Sequence, residues 1–173
     1  MADRFSSIYS AGSEPCAQPH TPTMRRFSYL LGRMVGMLTA ERALEADPGP
    51  LDRPAFDALL RAGEAERAGV VAEAERLLEL APSGAADAAL QRLALLLLMD
   101  LTAMDTGDCR RLHELAADDP EMFHIAGHSA DAQQARAMQS AFFTLFDGLG
   151  ALAEFGGEVW TREQAEAPVP IPA

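Results

Sequence analysis

The chain has 173 residues, enough for one domain with a sizeable core, and 49% of them are apolar, which excludes a wholly disordered chain. The net charge is −12 and all 14 basic residues are arginines. That balance argues against nucleic-acid binding, which needs a basic face to neutralise phosphates. Aromatic residues make up only 6%, so Leu, Ala and Met must fill the interior. Unbranched side chains lose little rotamer freedom in helices, and the scarcity of β-branched residues leaves little material for sheets. The expectation is an all-α fold: a compact bundle of five or six helices over residues 23–157. An irregular N-terminal arm (1–22) and a Pro-rich extended tail (158–173) flank it.

The arm carries Pro15, Pro19 and Pro22, which break regular structure. A first helix is predicted over 24–45, capped by Thr21 or Thr23. Phe27, Leu30, Leu31, Met34, Leu38 and Leu44 recur there at helical spacing. Gly32 and Gly36 lie one turn apart and would let another helix approach closely. Asp47-Pro48-Gly49-Pro50 ends this helix. A second helical region spans 53–80, with Pro54 in its first turn and a kink expected at Gly63 or Gly69. The third helix, 85–104, is apolar nearly all round between Leu93 and Leu101, which predicts a central, buried element. Helices over 109–117 and 130–155 follow, the last capped by Ser129, with a tight corner at Asp119-Pro120 between them. Three Arg-x-x-Glu segments (Arg42, Arg76, Arg111) recur at 34- and 35-residue spacing. The residues that stack tetratricopeptide helices are missing around them, so they read as three helix ends with similar stop chemistry.

The apolar run from Leu93 to Met99 falls far short of the roughly 20 residues needed to span a bilayer. Two cysteines, Cys16 and Cys109, do not make a disulfide framework. With no recognisable secretion signal, a reducing cytoplasm is the expected location.

Both cysteines and all four histidines fall into pairs with three residues between: Cys16 with His20, Cys109 with His113, His124 with His128. Residues four apart share a helix face, so each pair could present two ligands to one ion. Folding at Asp119-Pro120 would bring Cys109, His113, His124 and His128 together as a set suited to zinc. Glu121 adds half of a Glu-x-x-His di-iron motif, and so iron as the alternative ion. Against this, Gly127 interrupts the helical register before His128. Asp100, after the apolar run, is expected to pair with an arginine at the core boundary, and Glu64, Glu66, Glu73 and Glu75 to lie on a solvated face.

No phosphate-cradling glycine loop or nucleophile elbow is present. The leading expectation is therefore a non-enzymatic accessory protein, an assembly factor, adaptor or regulatory subunit working through a protein partner or self-association. Its expected anchors are Phe5, Ile8, Tyr9, Trp160, Val169 and Ile171 at the two ends. Arg25 and Arg26 supply a basic patch, and Phe143 projects off the buried stripe of the last helix. The alternative is the metal-binding protein above. Met34, Met37, Met99, Met104 and Met138 could also line a pocket for a small apolar ligand.

Overall fold

A computed structural model describes residues 21–46 and 53–155. The arm with Phe5, Ile8, Tyr9, Cys16 and His20, and the tail with Trp160, Val169 and Ile171, lie outside the described residues. The described residues form five α-helices: α1 (Pro22–Glu45), α2 (Arg53–Leu78), α3 (Ala85–Leu101), α4 (Thr106–Asp118) and α5 (Ala130–Gly150). Two 3-10 turns, Pro120–Phe123 and Ala153–Phe155, complete them, and no strand occurs among the described residues.

Local chemistry sets each boundary. Thr21 caps α1, its Oγ1 accepting from Met24 N at 3.1 Å. The same hydroxyl donates to Asp87 Oδ1 at 2.7 Å, and Asp87 Oδ2 accepts from Ser83 N at 2.9 Å. One buried carboxylate thus ties the starts of α1 and α3 together. Gln91 closes the other end of α2, donating to the carbonyls of Leu77 at 3.0 Å and Leu80 at 2.6 Å. Asp105 and Ser129 cap α4 and α5.

Helices α1 and α2 run antiparallel along a seam cleared by glycines. A Cβ at Gly36 would meet Glu66 Oε2 at 3.0 Å, one at Gly63 would meet Leu44, and one at Gly69 would meet the Arg33 guanidinium at 2.8 Å. The α2 glycines therefore mark close approach, and α2 runs as one continuous helix, Arg53–Leu78, through both. Glu73 also departs from expectation. It is buried and receives Arg26 at 3.1 Å and Arg76 at 3.5 Å, so it is no part of a solvated face.

The core lies where α1, α3 and α5 meet. Phe27 and Leu30 of α1, Leu90, Leu93 and Leu97 of α3, and Phe142, Phe146 and Leu149 of α5 are all essentially enclosed. Burying each such side chain contributes roughly 1.5–3 kcal/mol. Helix α3 touches every other α-helix, as its composition predicted. It is not buried all round, however: Arg92, Leu95 and Met99 form a face open to solvent. Helix α5 ends at Gly150, earlier than the expected 155, and the chain turns so that Ala153 N donates to Glu45 Oε1 of α1 at 2.7 Å.

Candidate functional site

Helix α4 is the most weakly embedded element; of its 13 residues only Cys109 and Ala116 are buried. It seats on α3 and α5 through a polar cluster. Asp100, on α3, is 2% exposed. His113 Nε2 faces its Oδ2 at 3.4 Å. The imidazole lies flat on the Phe146 ring, with centroids 3.9 Å apart and planes 17° from parallel. Gly150, one turn beyond Phe146 on α5, leaves room for its edge: a Cβ there would stand 2.7 Å from Nδ1. Asp100 therefore faces a histidine, where an arginine was expected. Neither carboxylate oxygen, nor His113 Nε2, makes a hydrogen bond among the described residues.

Cys109, one turn before His113, turns inward to the same place, with Sγ 3.7 Å from the Asp100 carbonyl oxygen. Burial pushes its thiol pKa up, and the negative charge of the neighbouring Asp100 pushes the same way. A thiol held protonated is a poor nucleophile. The His113 ring has one nitrogen toward a buried carboxylate and the other against α5, so it does not offer a base to solvent. The cluster resembles a catalytic triad in composition only; its geometry fits the seating of a helix.

Cys109 and His113 are not joined there by the other expected metal ligands. Segment 124–128 is not helical, so the four-residue spacing does not stack the histidines as a helix would. Phe123 and Ile125 turn inward while His124 and His128 stay exposed, as does Glu121. Side chains of α5 hold this segment: Gln139 donates to Phe123 O at 2.9 Å, and Arg136 to the carbonyls of Ile125 and Gly127 at 3.0 and 2.7 Å. Gly127 adopts φ +99°, which favours glycine. Among the described residues no group of three or more His, Cys, Asp or Glu side chains could hold a metal ion.

Other expected contact residues divide. Arg25 is exposed, but Arg26 is engaged with Glu73. Phe143 is half-buried, its ring meeting Phe123 edge-on at 5.7 Å and Phe142 at 5.6 Å, so the turn at 120–123 covers the face expected to be free. Of the methionines expected to line a pocket, Met34, Met37 and Met138 are core residues, whereas Met99 and Met104 lie outside the core.

Those two methionines, expected to line a pocket together with the other three, instead wall an exposed groove. The groove, open and of about 450 Å³, runs along the seam of α3 and α4, walled by Met99, Ala103, Met104, Leu112 and Leu115. Met104 is 93% exposed, and Leu115 and Met99 are each close to half exposed. Leu95 extends the apolar surface one turn back along α3. At the polar rim Arg111 pairs with Asp108. Among the described residues no helix is long and apolar enough to cross a membrane. No protein-family model, no curated protein and no solved structure matches this chain.

Proposed function

We propose that this chain is a non-enzymatic accessory protein, an adaptor or assembly factor, whose α3–α4 groove takes the apolar face of an amphipathic helix from a partner protein. The observation that carries the reading is the run of exposed Leu95, Met99, Met104 and Leu115 beside a helix that is itself lightly seated. Methionines adapt to varied shapes and suit a surface that accepts a helix. Asp108 and Arg111 in the groove lining pair with each other, but the wider segment 105–121 around α4 carries six carboxylates against two arginines. A basic flank on the incoming helix complements that field, whereas a second copy of this chain, also at −12, is repelled by it. The protonated, buried thiol of Cys109 is at home in a reducing compartment, which supports a cytoplasmic location.

The test is anisotropy titration of the full chain with a fluorescein-labelled 14-residue Leu/Lys amphipathic peptide. Leu115→Glu and Met104→Glu place a charge in the groove and should each weaken binding about tenfold or more, the loss expected of a central anchor. Val35→Glu, at an exposed apolar position on α1, should leave it unchanged. Equal affinity for all four proteins overturns the proposal.

A further inference from the structure

An open recess of about 350 Å³ lies between the end of α1, the start of α2 and the last 3-10 turn. Its apolar walls are Leu44, Phe56, Leu60 and Leu152. Phe56 and Leu60 stand one turn apart on α2 and are 43% and 41% exposed, so two large apolar side chains are left partly uncovered. The charged walls are all acidic: Glu41, Glu45 and Glu154. Arg67 answers two of them, at 3.5 Å from Glu41 and 2.6 Å from Glu154. Burial pushes the Glu41 carboxyl up, and Glu154 and Glu45 add to this against the opposing Arg67. Three carboxylates beside one guanidinium leave the recess short of positive charge.

The chain itself leaves by this recess. Leu152 and Glu154 wall it, and Phe155, next in sequence, is buried with the Arg67 guanidinium 5.3 Å from its ring centroid. Trp160, the chain's one tryptophan, follows five residues later, a reach of about 17 Å at full extension. Gly156 and Gly157 come between, and glycine admits the backbone conformations of a tight reversal. Arg162 is the only basic residue after Phe155. It stands two residues past Trp160, the spacing that puts both on one side of an extended segment. We propose that the segment after Phe155 folds back over this recess, seating the Trp160 indole on Leu44, Phe56 and Leu60 and turning Arg162 to Glu41 and Glu45. A tether of a few residues holds the indole at an effective concentration of about millimolar, an advantage no separate partner has. The recess shares no residue with the α3–α4 groove, and the proposal does not depend on it.

With one tryptophan in the chain, intrinsic fluorescence of the full-length protein reads this contact alone. The natural chain should emit at shorter wavelength than its urea-unfolded form and resist quenching by acrylamide. Phe56→Glu and Leu60→Glu should each lower the docked-to-undocked ratio by about tenfold, the worth of one lost apolar contact, and move emission and quenching toward the unfolded values. Val35→Glu, on the outer face of α1, should change neither. A second measure alters no described residue: Trp160→Ala should shift the amide signals of Leu44, Phe56 and Leu60 and leave Met99 and Leu115 in place. A natural chain whose tryptophan is quenched as freely as in urea, or two Glu variants that match it, overturns the proposal. So do Trp160→Ala shifts centred on Leu115, which would put the tail in the other groove. Tryptophan burial that disappears on dilution, in step with a dimer dissociating in sedimentation, assigns the recess to a second copy's tail and overturns it as well.

Discussion

Replacing Gly150 by Ala probes the seating of α4 at its tightest point. The backbone there is compatible with alanine, since Gly127 is the one glycine with positive φ among the described residues. The added methyl would stand 2.7 Å from His113 Nδ1 and 2.8 Å from Cε1. The ring has little freedom to withdraw, because Phe146 stacks on its face. Overpacking of this kind costs about 1–3 kcal/mol, while Gly→Ala at a compatible site returns about 0.4–1 kcal/mol through the unfolded chain. The net is a destabilisation of about 1–2 kcal/mol, or a fall in Tm of roughly 2–8 °C for a chain of this size. In a His113→Ala background the obstruction is gone, and the same substitution should stabilise by about 0.4–1 kcal/mol. Urea unfolding of the four proteins, followed by circular dichroism with the slope of each transition compared, measures both terms. A Gly150→Ala effect of the same sign and size in both backgrounds would refute the packing argument.

Asp87→Ala should cost about 1–3 kcal/mol, because it leaves the Thr21 hydroxyl and the Ser83 amide without their acceptor; a chemical melt checks this, and a loss below 0.5 kcal/mol, roughly the scale of an ordinary surface change, contradicts it. Phe142 is fully enclosed between Phe27 and Phe146, so Phe142→Ala should lose about 3–5 kcal/mol; unchanged stability would place the core elsewhere. Burial raises the Cys109 thiol pKa, assisted by Asp100, so the folded protein keeps that proton to higher pH than the unfolded chain. This contribution to stability is full below the unfolded thiol's pKa, about 8.5, and is lost as pH rises through the folded value. Unfolding free energy should therefore decline above about pH 8.5 more steeply for the natural chain than for Cys109→Ala, and parallel profiles would exclude the effect.

Much of the fold was legible because burial on a helix repeats every three to four residues. The stripes Phe27–Leu30–Met34 and Ala135–Met138–Phe142–Leu149 are core faces, and the Ser129 and Thr21 caps stand where their side chains can accept. Glycines were ambiguous, since one residue type serves both to break a helix and to admit a neighbour. Gly63 and Gly69 do the second, and only their long-range contacts with Leu44 and Arg33 reveal it. The site was harder to read. The apolar run of α3 counted as burial, yet a helix apolar all round in a bundle this small leaves one face over, and Leu95 and Met99 are that remainder. The four-residue spacing of His124 and His128 implied a shared face only if the segment were helical; it is irregular, beyond the corner at Pro120 and clamped by Arg136 and Gln139. Asp100 met His113 through α4 folding back, a long-range event that no local pattern encodes.

The central claim is that the α3–α4 seam is a docking face for an amphipathic basic helix. Amide chemical-shift mapping of the full-length, isotope-labelled protein during titration with the Leu/Lys peptide tests it most directly. The account expects changes concentrated at Leu95, Met99, Ala103, Met104, Leu112 and Leu115, with Tyr29 and Val35 on the outer face of α1 silent. Perturbation centred on α1 and α2, or spread evenly over the acidic surface, would contradict it.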